Sequence, residues 1–118
     1  MVSYMLPLVM MEVREYLDRG GHSPFADWFD RLNREAAAKV AAALARLHQG
    51  NLSNTKGVGS GVFEYRIDFG PGYRISFGKD GDSLVILVGG GRKKSQEGDI
   101  SAALARWRDY KLRKRAEE

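Results

Sequence analysis

The chain has 118 residues and a net charge of +4, with 43% hydrophobic and 29% charged residues. This length suits one domain, residues 1–118, which on folding buries about 60% or more of the surface of the unfolded chain. The chain has no cysteine, and its only histidines are His22 and His48. This composition excludes disulfide frameworks and leaves too few ligands for a zinc cluster, so we expect no metal and no cofactor.

The N-terminal segment carries no signal for a membrane or for export. Its apolar part, from Met5 to Met11, is too short to span a bilayer. It also lacks the basic residues and the small-residue cleavage site of a signal peptide. Together with the absence of cysteine, this predicts a cytoplasmic protein with no membrane partner.

A strand and a short helix are predicted first along the chain. Val9 to Leu17 alternates loosely and is rich in β-forming residues, which favours a strand. Ser23 and Pro24 are typical of a helix start, because the hydroxyl can accept a backbone hydrogen bond and proline at the first helical position loses none. We therefore expect a helix that begins at Pro24.

A second helix is predicted from Arg34 to about Gln49. Asn33 can cap its start, the alanine-rich run has high helix propensity, and Gly50 can end it in a left-handed conformation. Its buried face comprises Val40, Leu44 and Leu47. Two helices joined so closely predict a helical hairpin lying on a sheet.

Alternation with a period of two then predicts a β-hairpin. In residues 62–69 and 73–77, every second residue is apolar or aromatic. A three-residue loop at 70–72, with the sequence Gly-Pro-Gly, keeps the apolar residues of both strands on one face. The other face, which carries Arg66 and Arg74, is expected to be open.

The expected register determines how these two arginines meet. It places Asp68 opposite Arg74 and Arg66 opposite Ser76, so the arginines are diagonal neighbours. Two adjacent guanidinium groups favour a phosphate, which arginine binds bidentately at any physiological pH. A simpler interpretation is a surface ion pair between Asp68 and Arg74, contributing about 0–1 kcal/mol. The residues alone leave both interpretations open.

Lys56 is the candidate cation that precedes this hairpin. It lies among turn-forming residues in segment 54–61, whose glycines would let backbone N–H groups approach an anionic ligand. This predicts a glycine-rich loop. A solvated loop lysine is the simpler alternative.

The last third of the chain predicts a buried strand, a cluster of cations and a helix. Leu84 to Val88 is wholly apolar, which favours a strand covered on both faces. Three glycines follow at 89–91, and we expect the cations at 92–94 to project from the end of the sheet. Ser95 is predicted to cap the final helix, whose apolar face comprises Ile100, Ala103, Leu104 and Trp107.

Positive charge is concentrated at the C-terminal end. From residue 92 to 115 the cations are Arg92, Lys93, Lys94, Arg106, Arg108, Lys111, Arg113, Lys114 and Arg115, against the anions Glu97, Asp99 and Asp109. Such a surface attracts RNA, DNA or an acidic protein segment by the same long-range electrostatics. The charge therefore narrows the class of partner without choosing within it.

In combination these residues resemble a known family. The matching pattern comprises Val13-Arg14-Glu15-Tyr16, Ser23-Pro24-Phe25-x-x-Trp28, Lys56-Gly57-Val58-Gly59, Val62-x-Glu64-x-Arg66-Ile67, Gly70-Pro71-Gly72-Tyr73-Arg74, Gly89-Gly90-x-x-Lys93 and Gln96-x-x-Asp99-Ile100. It resembles the HigB-like addiction-module killer proteins of the RelE/ParE toxin superfamily. The resemblance implies an α+β fold with an N-terminal strand, a helical hairpin packed on a small, mostly antiparallel sheet, and a C-terminal helix.

The resemblance also implies the toxin of a type II toxin–antitoxin module. Such toxins are endoribonucleases that cleave mRNA, commonly on the ribosome, by attack of a ribose 2′-OH on the adjacent phosphate without a metal. The implied partner is a helix-turn-helix antitoxin of the HigA kind, and DNA is contacted only indirectly, through the antitoxin complex.

Carried over by position, Lys56, Arg66, Arg74 and Lys93 resemble the basic active-site residues of this family. The resemblance assigns the two arginines to the phosphate, Lys56 to removal of the 2′-OH proton, and Lys93 to a second phosphate contact or to protonation of the leaving oxygen. Further RNA contacts are expected from Arg92, Lys94, Arg106 and Lys111. The segment from Lys93 to Gln96 lacks the histidine or tyrosine of other superfamily members.

Two alternative functions stay open, and the resemblance also predicts where the family domain begins. The protein could instead be a ParE-like inhibitor of DNA gyrase, or a non-catalytic member that only binds its antitoxin or nucleic acid. Family members commonly begin near Met10 or Met11, so the first ten residues are expected to be an N-terminal extension.

Overall fold

A five-stranded mixed sheet with helices on both faces forms the protein. The computed structural model describes residues 10–118, and these contain five strands and three α-helices. In chain order the elements are β1 (Glu12–Glu15), α1 (Pro24–Asp30), α2 (Arg34–His48), β2 (Thr55–Gly59), β3 (Val62–Ile67), β4 (Tyr73–Asp80), β5 (Leu84–Arg92), a 3-10 helix (Lys93–Ser95) and α3 (Gln96–Glu117). The strand order in the sheet is β1-β5-β4-β3-β2.

The predicted α+β class and the mostly antiparallel sheet are confirmed. β1 pairs parallel to β5, whereas the other neighbouring strands pair antiparallel. β1 is shorter than the predicted strand, because only residues 12–15 pair with β5. Val9, and all of the expected extension at residues 1–10 except Met10, lie outside the described residues. The more specific RelE/ParE-like fold stays a prediction.

Local capping interactions set the starts of both N-terminal helices, as expected. The Ser23 hydroxyl accepts a hydrogen bond from the Ala26 N–H at 3.0 Å, and the Asn33 side chain accepts one from the Ala36 N–H at 2.9 Å. Each such cap stabilises its helix by about 1 kcal/mol. Gly50 follows α2 with a φ of +79°, which confirms its predicted left-handed conformation.

Helices cover the sheet on both faces. The helical hairpin of α1 and α2 covers one face, burying Phe25, Val40, Leu47, Tyr65, Ile75, Phe77, Val85 and Leu87. On the opposite face α3 packs over a second cluster of Tyr16, Val62, Ile86, Val88, Ala103 and Trp107. The expectation of a wholly open second face is therefore wrong. The predicted burial of residues 84–88 on both faces is confirmed for Val85 to Val88.

The three consecutive glycines lie within β5 rather than in a loop after it, which corrects the prediction. A Cβ at Gly90 would lie 2.2 Å from the Trp28 ring, and one at Gly91 would lie 1.8 Å from the Asp99 carboxylate. The glycines thus let side chains from α1 and α3 approach the backbone on opposite faces. They bring helices close to the sheet.

Ser95 does not cap α3 as predicted. Its side chain makes no hydrogen bond to the backbone N–H groups of the first turn. The hydroxyl, which belongs to the 3-10 helix, instead lies 2.6 Å from the Asp99 carboxylate, to which it donates, and 3.2 Å from the Arg92 carbonyl. Asp99 is in turn the side chain that lies over Gly91.

The C-terminal half of α3 is tied to the sheet by two hydrogen-bonded clusters. Tyr16 donates to Asp109 at 2.7 Å, and Arg113 pairs with the same carboxylate at 2.9 Å. Tyr110 donates to Asp80 at 2.6 Å, and the Lys114 ammonium group also binds Asp80. In the described residues, no helix is long and apolar enough to cross a membrane.

Candidate active site

The register of the hairpin between β3 and β4 differs from the predicted one. Ile67 lies opposite Tyr73 and Arg66 lies opposite Arg74, so the connection comprises residues 68–72 instead of three residues. The turn begins early because the Phe69 N–H donates to the Ile67 carbonyl, at 3.0 Å. A shift of two residues preserves the two faces but changes every cross-strand pair.

The corrected register places two arginines directly opposite one another. Paired residues of an antiparallel sheet project from the same face, and like charges in this position destabilise the pair. Arg66 is exposed, whereas the Arg74 side chain retains only 12% of its exposure. The expected ion pair between Asp68 and Arg74 does not form, because Asp68 now lies in the turn.

Arg74 pairs instead with a buried carboxylate that sequence reasoning gave no role. Glu64 is only 1% exposed, and its Oε1 lies 3.6 Å from Arg74 Nε. The same oxygen accepts a hydrogen bond of 2.8 Å from the Gln96 side chain. Alternation alone assigned Glu64 to an open face. The sequence signal that could have indicated its pairing with an arginine was the Glu64-x-Arg66 pattern, which places the two side chains on the same face.

Lys56 lies in β2, not in the predicted loop. It is opposite Glu64 in the sheet, so it projects from the same face as the arginines. Its side chain is exposed at this edge of the sheet. Together with Arg66 it borders a shallow depression, whose other lining residues are Ser53, Asn54 and Thr55.

Lys93 completes the group from the far side of β4. Its backbone N–H donates to the Gly72 carbonyl at 3.1 Å, which ties the 3-10 helix to the hairpin turn. Lys93, Arg74 and Arg66 line a second shallow depression. Arg66 thus borders both depressions. We call Lys56, Arg66, Arg74 and Lys93 the basic row, and the structure brings all four to one end of the sheet.

Comparison with known proteins assigns the chain to a family. Residues 27–108 match the family described as phage derived protein Gp49-like (DUF891). The chain belongs to this Gp49-like family. A Haemophilus influenzae protein, named only as an uncharacterized protein, is 44% identical over 80 residues, covering 67% of this chain and 81% of that protein. The Gp49-like family is associated with toxin–antitoxin modules.

The Gp49-like match includes every residue of the basic row. It begins within α1 and ends within α3, so it also covers the buried Glu64 and Gln96. The finer resemblance to HigB-like killer proteins stays a prediction, as do the chemical roles of the individual residues.

The other predicted RNA contacts of this Gp49-like protein lie at different distances from the row. Arg92 and Lys94 are exposed and flank Lys93. Arg106 is half-buried and donates to the Val88 carbonyl at 2.8 Å, so its guanidinium group already binds the sheet. Lys111 is exposed, with its ammonium 5.8 Å from the Trp107 ring centre, and it is roughly 22 Å along α3 from Gln96.

The titratable groups with shifted pKa values lie away from the basic row. Burial, followed by the bond to Asp80, raises the pKa of Tyr110 to about 12, and burial with the bond to Asp109 raises that of Tyr16. Tyr110 is bound to Asp80 at the opposite end of β4, and Tyr16 is bound to Asp109 of α3 just after the edge strand β1. Among residues 10–118, no group of three or more His, Cys, Asp and Glu side chains is arranged to hold a metal ion. What the row offers to a ligand is positive charge.

Proposed function

We propose that this protein is the toxin of a toxin–antitoxin module and that it cleaves RNA with the basic row. The observation that carries the proposal is the direct opposition of Arg66 and Arg74, with a lysine on either side. Two opposed guanidinium groups bind a phosphodiester well, since each offers planar, permanently charged donors to the phosphate oxygens. The family association with toxin–antitoxin modules supports this reading.

The proposed reaction is an internal transesterification. The ribose 2′-oxygen attacks the adjacent phosphorus, a new P–O bond forms, and the bond to the 5′-oxygen breaks. The products are a 2′,3′-cyclic phosphate and a free 5′-OH. Negative charge grows on the phosphate oxygens as the fifth bond forms, and Arg66 and Arg74 stabilise this charge.

Two protons move in this reaction, and we assign one to each of the two lysines that lie on either side of the arginines. Lys56 is the general base that takes the proton from the 2′-OH. Lys93 donates a proton to the leaving 5′-oxygen. Their separation by β3 and β4 suits this division, because the entering and leaving oxygens lie on opposite sides of the phosphorus.

The proposed substrate is mRNA in the cytoplasm, engaged on the ribosome, and the proposed partner is a helix-turn-helix antitoxin. The exposed cations Arg92 and Lys94, which flank Lys93, would contact the RNA backbone next to the cleaved bond. The same charges would attract an acidic antitoxin segment that blocks the row.

Mapping of RNA 5′ ends after a short induction tests this function. We expect wild type to arrest growth and to create new 5′-OH ends in mRNA, whereas Arg66→Ala/Arg74→Ala does neither. The matched control is Arg34→Ala/Arg46→Ala, which removes the same charge from exposed positions of α2 and should remain toxic.

Two outcomes would contradict the proposal. Toxicity retained in the Arg66→Ala/Arg74→Ala variant would exclude the basic row as the site. Growth arrest with intact mRNA and blocked DNA supercoiling would favour the gyrase inhibitor instead.

A further inference from the structure

A buried carboxylate beneath the basic row has no part in the mechanism proposed above. Glu64 is 1% exposed, and its Oε2 has no hydrogen-bond partner in the structure. It therefore cannot touch RNA directly. A buried carboxylate is costly unless it is paired, so its presence at this point of the sheet needs an explanation.

Glu64 neutralises part of the repulsion within the row. Arg66 and Arg74 are directly opposed, and Glu64 lies on the same face of β3, two residues before Arg66. Among the described residues, Glu64 is the carboxylate that lies within ion-pair distance of Arg74, at 3.6 Å. Without it, repulsion from Arg66 would favour rotation of the largely buried Arg74 side chain toward solvent.

The Glu64 carboxylate is itself held by a residue of α3, which packs on this face of the sheet. The Gln96 side chain donates to Glu64 Oε1 at 2.8 Å from the first turn of α3. α3 is anchored in turn by the buried Trp107 and by its two clusters at the far end. The position of Arg74 is thereby linked to the docking of α3.

We infer that Glu64 is a positioning residue, held by Gln96, which orients the Arg74 guanidinium for the phosphate. This inference rests on the proposed function and adds to it a residue that acts through another. The Nε side of Arg74 is buried against Glu64, which leaves the outer nitrogens for the ligand.

The ion pair is looser than a hydrogen bond, and this suits a site that awaits its substrate. Arg74 Nε, like Glu64 Oε2, is buried without a hydrogen-bond partner. Contacts of this kind often tighten only when substrate is bound. A phosphate bound between the arginines would draw the guanidinium into its working position, with Glu64 limiting how far it moves.

The test compares Glu64→Gln with wild type in a reconstituted translation mixture that carries one defined mRNA. The variant keeps the shape of the side chain and removes its charge. We expect kcat to fall about 100-fold, because misplacement of a catalytic group by about 1 Å has that effect. KM should change less than about threefold and the Tm by less than about 5 °C. Glu35→Gln, the same change on exposed α2, should cleave as wild type does.

A second variant keeps the inference testable if Glu64→Gln does not fold. Gln96→Leu removes the donor that holds the carboxylate, and we expect a loss of about 10-fold, again in kcat. Equal kcat values in wild type and the folded variants, or losses confined to KM, would overturn the inference. A wild type that leaves the mRNA intact would instead refute the proposed function, and with it this inference, before any variant is measured.

Discussion

The two ends of the sheet use charged side chains in different ways. Near β1 and the last turns of α3, each of two carboxylates binds one tyrosine and one cation. Asp109 binds Tyr16 and Arg113, and Asp80 binds Tyr110 and Lys114. At the end with the basic row, the four cations face two carboxylates: the buried Glu64 lies 3.6 Å from Arg74, and the exposed Asp68 borders the depression lined by Arg66, Arg74 and Lys93. One end is matched in charge, and the other keeps an excess.

Buried polar atoms that lack a hydrogen bond also distinguish the two ends of the sheet. In residues 10–118, the buried side-chain nitrogens and oxygens without a hydrogen bond are Glu64 Oε2, Arg74 Nε and Arg113 Nε. Arg113 is nevertheless paired through another nitrogen with Asp109, at 2.9 Å. The Glu64 and Arg74 atoms belong to one loose pair. Matched charges hold α3 in place, whereas incompletely matched ones leave capacity for a ligand.

The largest change in the free energy of unfolding is expected from Trp107→Ala, which tests how α3 is held on the sheet. Trp107 is 5% exposed and packs against Gly78, where a Cβ would lie 2.3 Å from the indole ring. Removing the ring should lower the free energy of unfolding by about 3–5 kcal/mol, measured by urea denaturation.

Trp107→Phe is the matched control for that experiment. It keeps an aromatic ring over the glycine, and we expect less than half of the loss. A free energy of unfolding for Trp107→Ala within about 1 kcal/mol of wild type would show that α3 is not held mainly by this packing.

An intermediate effect is expected from Tyr110→Phe, with a distinctive pH dependence. The Tyr110 hydroxyl bonds to Asp80 at 2.6 Å, and burial with this bond raises the pKa of Tyr110 from 10.0 to about 12. A raised pKa means that the folded state binds the proton more tightly than the unfolded state. The resulting stability is complete below pH 10 and is lost as the pH rises through about 12.

Two measurements check the Tyr110 prediction. At neutral pH, Tyr110→Phe should lower the free energy of unfolding by about 1.5–3 kcal/mol, the range for a hydrogen bond to a charged group. Between pH 10 and about 12, its stability should fall less steeply than that of wild type. Some slope should persist, since the pKa of Tyr16 is raised as well. Equal slopes in both proteins would contradict the assignment.

The smallest effect is expected from Asp68→Asn, which tests the register of the hairpin. Asp68 is exposed in the turn and forms no ion pair with Arg74 in this structure. The free energy of unfolding should therefore stay within about 0.5 kcal/mol of wild type at any salt concentration. A larger loss that disappears at high salt would restore the three-residue loop with Asp68 opposite Arg74.

The parts of the site that could be predicted are those with a signal in neighbouring residues. The alternation in residues 62–77 placed Arg66 and Arg74 on one face, and a shift of two residues left that face unchanged. The register itself could not be predicted, because loops of three and five residues both satisfy the alternation. It depends on hydrogen bonds within the turn.

Burial on the sheet face that α3 covers could not be predicted from the local sequence pattern. Glu64 looked exposed because charged residues alternate with apolar ones in β3, whereas in the structure Gln96 of α3 and Arg74 of β4 contact it. The glycines at 89–91 looked like a loop, since glycine weakens a strand. Their meaning depends on Trp28 and Asp99, which approach from distant parts of the chain.

The sequence by itself determined the helix starts at Ser23 and Asn33 and the α+β class. Each of these depends on residues within a few positions of one another, so the energies that decide them are local. Only the tertiary structure decided that Arg66 faces Arg74 and that Glu64 lies beneath them, held by Gln96. Those contacts join strands and a helix far apart in the chain, and packing of the two layers selects them.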